Sequence, residues 1–518
     1  MATETELKFI VPPSGLTKIK HAGWVLGNKP PPKEVDVVSV YYDTASRDLR
    51  ENGVTLRLRQ REGRYLQTVK VDAGGFPRRQ EWEREVESDR LDLSAVEGTA
   101  LEPLLSGNIA HDLKPLFETR VRRSTIDLEQ GTSKIEMSLD RGELKSGDLH
   151  SSISELELEL KEGDPADLFA VARRIAEIVP LRLAVLSKAD SGYRLADHEQ
   201  QQPFHGTMIA LDRKLSAAEA FQEVANSCLR QVIANEKAVE GGRSEGVHQM
   251  RIGLRRLRTA FAFFAKLTVA DAHIEHIKSN LKWFTSQLSP ARDLDVYLRK
   301  SVQPVDAMEP AVAGAGALEQ VTERRRKVAF ARAADAVRSS RYRQLILGVA
   351  EWINTGAWLD ESNAKTRAQR DCPIAKFATS EMRRRRNKLA KKKKKLKKAD
   401  ASTRHKIRIS AKKLRYATEF FATIFPGRKA AKRRRIFAKS LKRLQNSLGD
   451  LNDFAVHDRL ASRLVLSNRT RARGRRWRRR AFAAGVVAGR ESSQGDGLMK
   501  VAKRALRDVA MAKKYWEK

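Results

Sequence analysis

The chain has 518 residues, of which 41% are hydrophobic, so it is long enough to bury the cores of two or three domains. No apolar run approaches the roughly 20 residues that cross a membrane, and the N-terminus lacks the pattern of a signal peptide. The two cysteines, Cys228 and Cys372, are too few for a disulfide framework and lack metal-ligand spacing. We therefore expect a cytoplasmic protein in a reducing compartment, without a membrane span.

The net charge of +37 is distributed unevenly along the chain. Residues 1–200 carry 29 Lys and Arg against 35 Asp and Glu, whereas residues 201–518 carry 72 against 29. This change predicts a domain boundary near residue 200 and a polyanionic partner for the C-terminal part. Composition alone leaves nucleic acid, polyphosphate and an acidic membrane surface open as that partner.

Charged and apolar residues alternate in several N-terminal segments, which predicts strands with one polar and one apolar face. The segments are residues 4–8, 55–59, 81–85, 136–140 and 155–161. An antiparallel sheet with a solvated face is the ordinary interpretation. However, carboxylates dominate some strands and arginines others, and closing the sheet into a barrel would gather both sets in one tunnel. There, carboxylates would hold a divalent cation and basic side chains would hold phosphates.

If the barrel is closed, the apolar side chains of these strands should point outward. There they should pack against helices or other covering segments. The positions are Leu7, Leu56, Leu58, Leu156 and Leu158. After the last strand, the step Lys161-Glu-Gly163 and residues 166–179 predict a turn and one helix.

These motifs, in this order over about residues 2–197, resemble the CYTH family of triphosphate tunnel metalloenzymes. They are Glu4-x-Glu6-x-Lys8, Leu56-Arg57-Leu58-Arg59, Lys70, Glu81 with Glu83, Glu155 with Glu157 and Glu159, and Ser187-Lys188 followed by Gly192-Tyr193-Arg194-Leu195. The resemblance implies an inorganic triphosphatase that uses Mg²⁺ or Mn²⁺. A nucleotidyl cyclase is an enzymatic alternative, because tunnels of this kind also act on ATP.

The resemblance also implies three overlapping sets of site residues. The catalytic set is Glu4, Glu6, Lys8, Glu157 and Glu159. The metal ligands are Glu4, Glu6, Glu81, Glu83, Glu157 and Glu159. The triphosphate ligands are Lys8, Arg57, Arg59, Lys70, Arg120, Arg123 and Lys188. The choice of inward-facing arginine among 120, 122 and 123 stays open, and Lys8 is either a phosphate ligand or the salt-bridge partner of a glutamate.

We expect residues 1–197 to form this domain, 198–211 a polar linker, and 212–515 an all-helical domain, which gives an α+β protein. Pro290 and Gly449 are predicted to end helices. Asp293 and Asp453, a few residues further on, are expected to cap the next helix in preference to binding a metal.

The helical region contains an internal duplication. His248-x-x-Arg251 returns as His405-x-x-Arg408, 157 residues later, and Leu281 to Asp293 returns at Leu441 to Asp453. In each copy the histidine and the cations three, seven and ten residues later fall within about 80° of a helix surface. Each copy therefore predicts a cationic ridge that suits phosphate oxygens, beside which a histidine would be held protonated.

These segments resemble the CHAD family, a histidine-containing helical domain of two similar bundles, which implies inorganic polyphosphate binding. The polyphosphate ligands would be His248, Arg251, Arg255, Arg258, His405, Arg408, Lys412 and Arg415. Two basic runs, at 383–398 and 469–480, would bind any polyanion. Trp477 in the second run favours nucleic acid, because it could stack on a base.

The most consistent interpretation is a metal-dependent triphosphatase fused to a polyphosphate-binding module, with polyphosphate granules as an expected location. The alternative is a non-catalytic granule protein or nucleic-acid-binding protein with a degenerate tunnel. The intact charged pattern of the N-terminal strands argues against degeneracy.

Overall fold

The computed structural model describes the chain as two units. Described are residues 2–27, 30, 32–71, 78–105, 109–199, 202–268, 271, 273–360, 363–396, 399–466 and 474–517, with the backbone alone at 2–4, 78–80, 466 and 476. The first unit comprises Met1–Phe204 with Ser339–Gly356, and the second comprises His205–Arg338 with Ala357–Lys518. Among the described residues, no helix combines the length and apolar character needed to cross a membrane.

The first unit is built on one nine-stranded antiparallel sheet. Its strands are β1 (Ala2–Ile10), β2 (Glu34–Asp43), β3 (Val54–Arg61), β4 (Arg64–Val71), β5 (Arg78–Val86), β6 (Lys114–Gln130), β7 (Ser133–Ser146), β8 (Leu149–Glu162) and β9 (Arg182–Ala184). The strand order is β5-β4-β3-β2-β6-β7-β8-β1-β9. In addition, β5 pairs antiparallel with β1, where Ala2 lies opposite Glu81 and Thr5 opposite Arg78.

The helices of the first unit cover the sheet. They are α1 (Pro13–Lys20), α2 (Gly23–Leu26), α3 (Asp48–Glu51), α4 (Ile109–Asp112), α5 (Pro165–Ile178), α6 (Lys188–Ala196) and, numbered by its place in the chain, α13 (Ser340–Thr355). Helix α5 packs against β1 and β8, and α13 packs against α5 and β9. The apolar positions of the strands are buried: Leu7, Leu56, Leu156 and Leu158 are fully buried, and Leu58 is 5% exposed.

Helix α6 positions the functional cavity described below. A capping box fixes its start, in which the Ser187 hydroxyl accepts from the Asp190 N–H and the Asp190 carboxylate accepts from the Ser187 N–H. The helix packs against β6, β7 and β8. Tyr193 and Ala189 join a buried cluster that includes Phe117, so the first residue of the helix, Lys188, is held at a fixed place.

The close approach of α6 to β6 gives a first prediction. A Cβ added at Gly192 would lie 2.0–2.5 Å from ring carbons of Phe117. We expect Gly192→Ala to lower the free energy of unfolding by about 1–3 kcal/mol, because the buried ring must shift. Chemical denaturation measures this. Gly23→Ala is the control, since its new Cβ meets nothing within 4 Å; equal stability of both variants with the wild type would contradict the packing.

The second unit is all helical. Its helices are α7 (Ala217–Ile233), α8 (Glu236–Glu240), α9 (Ser244–Phe263), α10 (His273–Tyr297), α11 (Gln303–Asp306), α12 (Ala315–Arg338), α14 (Ala364–Arg370), α15 (Ile374–Ala390), α16 (Lys393–Leu396), α17 (Ala401–Phe420), α18 (Arg428–Leu466), α19 (Arg475–Ser493) and α20 (Gly495–Met511). The protein as a whole, an antiparallel sheet domain followed by an all-helical domain, agrees with the predicted α+β class.

Two predicted helix ends are wrong. Pro290 lies inside α10, and Gly449 lies inside α18. A proline in a helix interior costs about 3 kcal/mol and a glycine about 1 kcal/mol. Burial offsets these costs, because Leu288, Ala291 and Leu448 on either side are almost completely buried. Asp293 and Asp453 therefore lie within helices, and the predicted capping role is also wrong.

Candidate functional site

The first unit contains a cavity of about 700 Å³ lined mainly by charged side chains. It brings together most of the predicted site residues of this unit. Those lining it are Glu6, Lys8, Arg57, Arg59, Lys70, Glu81, Glu83, Arg123, Glu157, Glu159 and Lys188. Glu4 belongs to β1, but its side chain lies outside the described residues.

Strand register explains why these side chains meet. Along neighbouring strands β1, β8 and β7, Glu6 lies opposite Glu159 and Glu159 opposite Glu136. Side chains directly opposite each other on one face of antiparallel strands are about 4.5–5.5 Å apart at Cβ. The alternation of charged and apolar residues seen in the sequence therefore places a row of three carboxylates in the cavity, which we call the acidic row (Glu6, Glu159 and Glu136).

One buried carboxylate, Glu157, organises the cations at the centre. Its Oε1 lies 2.7 Å from Lys8 Nζ and 2.8 Å from Lys188 Nζ, and its Oε2 accepts from Arg123 Nη2 at 2.8 Å. Burial alone would raise the pKa of Glu157, but Lys188, Lys8 and Arg123 hold that pKa well below its usual range. Lys8 is thus the salt-bridge partner of a glutamate, one of its two predicted roles.

A second carboxylate group surrounds the Lys188 ammonium. Lys188 Nζ lies 2.8 Å from Asp140 Oδ2 and 2.9 Å from Glu155 Oε2. Candidate ligand atoms of Asp140, Glu155 and Glu157 all lie within 4.8 Å of one another. These carboxylates would suit a metal by geometry, but the ammonium occupies their centre. Burial lowers the pKa of Lys188, and the three carboxylates more than reverse that, so the lysine stays charged.

The acidic row is a second set of carboxylates that could hold a divalent cation. Lys161 Nζ lies 2.7 Å from Glu159 and 3.7 Å from Glu136, and Lys8 interacts electrostatically with Glu6. Like charges directly opposite on neighbouring strands destabilise a sheet, so three aligned carboxylates favour a cation. The oxygen-rich donor set is the one that Mg²⁺ and similar hard cations prefer. Glu6 and Glu159 were predicted as metal ligands, whereas Glu136 was recognised only as part of a strand.

Glu81 and Glu83, also predicted as metal ligands, have cationic partners. Glu81 Oε2 lies 2.7 Å from Lys70 Nζ, and its Oε1 lies 3.5 Å from Arg57 Nη2. Glu83 Oε2 accepts from the Thr68 hydroxyl at 3.2 Å and lies 3.9 Å from Arg57. The structure therefore gives these two residues a role in holding the basic side of the cavity.

Arg59 differs from the other cavity cations because it makes no ion pair among the described residues, and Glu83 offsets its charge only in part. Its Nε is buried and lacks a hydrogen-bond partner among the described atoms. Burial lowers the pKa of Arg59, and the nearby cations Arg57 and Arg123 lower it further, to about 10. A guanidinium in such surroundings is stabilised by an anion, and phosphate oxygens match its fork of donors.

The structure also distinguishes the arginines of β6. Arg123 lines the cavity and donates two hydrogen bonds of 2.7 Å to Asp140. Arg120 points away, is 60% exposed, and donates to Glu118 at 2.8 Å. Arg120 as a triphosphate ligand is therefore wrong: 120 and 123 differ by an odd number of residues, which puts them on opposite faces of a regular strand.

Two further residues of the site, Tyr41 and Asp140, were not predicted from the sequence. Tyr41 lines the cavity and stacks on Phe117 with ring centroids 4.7 Å apart. Burial would raise the pKa of Tyr41, but Arg57, Arg59 and Lys188 lower it below its usual value. Asp140 is the last residue of the alternating segment 136–140, lies inside β7 and contacts Arg123 and Lys188; its position opposite Glu155 in the register was the signal that could have found it.

In the second unit, the two predicted ridges form one cluster. Arg251 and Arg255 of α9 interact electrostatically with Arg408 and Lys412 of α17. We call these four residues the basic helical cluster. Lys412 is only 9% exposed, and burial, reinforced by Arg408, Arg255 and Arg251, lowers its pKa to about 6.

Few acceptors neutralise this cluster. Arg251 Nη1 donates to Ser289 Oγ at 2.6 Å, and its Nη2 lies 3.9 Å from Asp293. The equivalent aspartate of the second copy, Asp453, interacts with Arg408. The Nε atoms of Arg251, Arg255 and Arg408 are buried and lack hydrogen-bond partners among the described residues. The cluster is therefore prepared for an anion.

The remaining ridge residues lie around the cluster. Burial lowers the pKa of His248 to about 4, helped by Arg292, so the histidine is neutral until an anion approaches. His405 is exposed, and its Nδ1 lies 3.0 Å from Asn452 Oδ1. Arg415 Nε donates to Gln445 at 2.8 Å, and Arg258 is exposed and interacts with Lys413 instead of the cluster.

The basic runs are partly structural. Arg384 and Arg385 contact the buried Glu381, and Arg386 donates to the Ala510 carbonyl. Residues 397–398 and 469–473 lie outside the described part of the chain. Trp477 packs on the core of α12, α18 and α19 and donates from Nε1 to the Val465 carbonyl at 2.9 Å. Base stacking by this tryptophan has no support, because its ring is engaged in packing.

This packing gives a second prediction. We expect Trp477→Leu to lower the free energy of unfolding by about 1–3 kcal/mol, since it removes ring contacts and leaves the Val465 carbonyl unpaired. Its affinity for single-stranded RNA should stay unchanged. Denaturation and a fluorescence titration with RNA measure the two effects. Weakened RNA binding with full stability would restore the stacking hypothesis.

Comparisons with known proteins agree with this division. The chain matches the CYTH domain family over residues 2–193 and the CHAD domain family over residues 223–462. It therefore contains a CYTH domain followed by a CHAD domain, which confirms that prediction.

Two relatives illustrate the match. An inorganic triphosphatase of Haemophilus influenzae is 28% identical over 214 residues, which make up 38% of this chain and 56% of that protein. The chain thus spans little more than half the length of this curated relative. The crystal structure of the CHAD domain from the plant Ricinus communis is 28% identical, covers 59% of this chain and 96% of that one, and superposes with a TM-score of 0.50.

Proposed function

We propose that the first unit hydrolyses an inorganic triphosphate with the help of a divalent cation, and that the second unit binds inorganic polyphosphate. The observation that carries the first part is the buried Arg59 guanidinium, which lines the same cavity as the acidic row and makes no ion pair among the described residues. The CYTH domain and the relative named inorganic triphosphatase support it. The β1–β5 pairing supports closure of the strands into a tunnel around this cavity.

The basic residues of the cavity would interact with the phosphates. Arg59 and Arg57 would bind the phosphates, since both reach the cavity from β3. Lys8, Arg123 and Lys188, fixed by Glu157 and Asp140, would supply a rigid positive field along the chain of phosphates. Because these cations are held before substrate arrives, little reorganisation accompanies the reaction.

The acidic row would hold the cation. Glu6 and Glu159, with Glu136, offer the oxygen ligands, and Mg²⁺ or Mn²⁺ bound there would neutralise phosphate oxygens and favour an attacking water. Lys161 would release Glu159 when the cation enters, since the lysine side chain is 44% exposed and its ammonium would be hydrated in solvent.

The basic helical cluster would bind polyphosphate. Its arginines offer unpaired Nε–H donors, and polyphosphate would restore the charge balance that the described residues lack. His248 and Lys412 would take up protons on binding. We propose domain limits of 1–197 and 212–515 joined by 198–211, with α13 docked on the first domain, and a location at polyphosphate in the cytoplasm.

A substrate panel tests the catalytic half. Phosphate release is measured from tripolyphosphate, long-chain polyphosphate and ATP, each with Mg²⁺, with Mn²⁺ and with chelator. We expect metal-dependent release from tripolyphosphate, lost in Glu6→Ala while the thermal transition is kept. Cyclic nucleotide and pyrophosphate from ATP would indicate a cyclase, and no product from any substrate would favour the non-catalytic alternative.

A titration tests the binding half. Long-chain polyphosphate and single-stranded RNA are titrated at matched salt against the wild type and the Arg251→Ala, Arg408→Ala double variant. We expect tighter binding of polyphosphate and at least about a tenfold loss in the variant. Tighter RNA binding, or a variant that binds like the wild type, would transfer the role to the exposed basic runs.

A further inference from the structure

A second cavity, of about 1030 Å³, lies within the helical unit, apart from both sites above. Its walls come from α7, α9, α17 and α18, and the irregular segment 205–209 lies along it. The apolar part of the wall includes Met208, Ile209 and Ile252. Met208 is 72% exposed, so a large apolar side chain stands in solvent at this cavity. A volume of this size suits a small organic molecule.

Arg256 lines the same cavity and is only 6% exposed. Its Nη1 donates to Gln231 Oε1 at 2.7 Å, and Gln231 Nε2 donates to Gln249 Oε1 at 3.0 Å. These amides accept and pass on hydrogen bonds but carry no charge. The Nε of Arg256 is buried and has no hydrogen-bond partner among the described residues.

The charge around Arg256 is not balanced by the cavity wall. The one carboxylate lining the cavity, among the described residues, is Glu419, which pairs directly with Arg415 and also interacts electrostatically with Arg256. Lys432, Arg434 and Arg435 add further positive charge. One carboxylate shared among these cations leaves the cavity with an excess of positive charge, so an anionic group placed beside the buried Arg256 would be favoured.

We propose that this cavity binds a small organic anion. Its phosphate or carboxylate accepts hydrogen bonds from the Arg256 guanidinium, and its apolar or aromatic body lies against Met208 and Ile252. Arg256 points about 100° around α9 from Arg255, so this site is separate from the basic helical cluster. Inorganic polyphosphate has no apolar group to contact Met208 and Ile252. An apolar or aromatic group is therefore the feature that distinguishes the ligand of this cavity.

The test uses the full-length protein and isothermal titration with phenyl phosphate as the probe. Inorganic phosphate, phenol and benzoate are the companion ligands. We expect phenyl phosphate to bind at least about tenfold more tightly than inorganic phosphate or phenol, because only it supplies both anion and ring. Benzoate distinguishes the two anion sources: comparable affinity assigns a carboxylate, and much weaker affinity assigns a phosphate.

Variants locate the binding. Arg256→Met should weaken phenyl phosphate by about tenfold or more, since it removes a charged donor while keeping the side-chain volume. Met208→Ala, at an exposed position that does not endanger folding, should weaken phenyl phosphate and leave inorganic phosphate unchanged. Arg408→Ala in the basic helical cluster is the matched control and should leave phenyl phosphate binding within about twofold of wild type.

Three results overturn the proposal. If phenyl phosphate binds no more tightly than inorganic phosphate, the apolar wall does not contribute to binding. Affinity that falls in Arg408→Ala but not in Met208→Ala places the probe on the basic helical cluster. Absence of detectable binding by phenyl phosphate and benzoate leaves the cavity without a ligand of this class. Arg256→Met that fails to fold does not weaken the test, because Met208→Ala decides it alone.

Discussion

Glu157→Gln should produce the largest loss of stability of any single change in the cavity. The Glu157 carboxylate contacts Lys8, Lys188 and Arg123, and its side chain is 14% exposed. Removing the negative charge from a buried ion-pair network costs about 3–5 kcal/mol, because the cations stay buried without their partner. We expect that loss in chemical denaturation, together with loss of phosphate release.

The pH dependence of this network follows from the same contacts. The pKa of Glu157 is held well below its usual value in the folded protein, so its contribution is present above the unfolded pKa and is lost as pH falls through the folded pKa. The wild type should therefore lose more stability on acidification than Glu157→Gln does.

Glu159→Gln is the matched control. Its carboxylate is 24% exposed and pairs with Lys161, which is 44% exposed. A pair this open contributes no more than about 1 kcal/mol. We expect near-normal stability with strongly reduced metal-dependent activity, since Glu159 belongs to the acidic row. Equal stability loss in both variants would show that Glu157 is not the centre of the charge network.

The second large effect has the opposite sign. Lys412→Met should make the ligand-free protein more stable by about 1–4 kcal/mol, because the buried lysine surrounded by arginines must either carry an unfavourable charge or lose its proton on folding, and methionine avoids both costs. The same change should weaken long-chain polyphosphate binding by about tenfold, since one charged donor is lost. Denaturation without ligand and a polyphosphate titration measure the two effects.

The destabilisation caused by Lys412 depends on pH. The pKa of Lys412 is lowered from 10.5 to about 6 by folding, so the unfolded chain binds a proton that the folded protein does not between these values. Its destabilising effect is full below about pH 6 and fades as pH rises to 10.5. The gain from Lys412→Met should therefore shrink with rising pH.

Lys406→Met on the same helix is the control, because Lys406 is exposed. It should change neither stability nor its pH dependence. If Lys412→Met is less stable than the wild type at pH 6, the lysine is held by favourable contacts and the basic helical cluster is not strained. Unchanged polyphosphate affinity in Lys412→Met would remove this residue from the binding site.

Local patterns predicted the strands and most cavity residues, because alternation fixes which side chains share a face. Glu6, Glu157 and Glu159 could be placed together on that basis. What the sequence could not give was strand register, which sets Glu136 beside Glu159 and Asp140 beside Glu155. Register between β7 and β8 is set by the turn at residues 147–148, which the alternation of charged and apolar residues does not locate. The same limit left the choice between Arg120 and Arg123 open.

The helical half shows a different limit. The duplication predicted two equivalent ridges, but it gave no signal that α9 and α17 meet and merge them into one cluster. Pro290 and Gly449 are residue types that often end helices, but both lie inside helices whose neighbouring residues, such as Leu288, Ala291 and Leu448, are buried. The buried contacts of Trp477 were likewise invisible, since its neighbour Val465 lies on another helix.

The most direct test of the central claim compares Arg59→Ala with Arg120→Ala in Mg²⁺-dependent release of phosphate from tripolyphosphate. Arg59 lines the cavity and makes no ion pair among the described residues, whereas Arg120 belongs to the outer face of a strand in the same unit. We expect hydrolysis by the wild type and by Arg120→Ala, with a loss of about a hundredfold or more in Arg59→Ala, in line with removal of a charged donor to a reacting phosphate. Equal activity of Arg59→Ala and Arg120→Ala, or a wild type that releases no phosphate, would contradict the account.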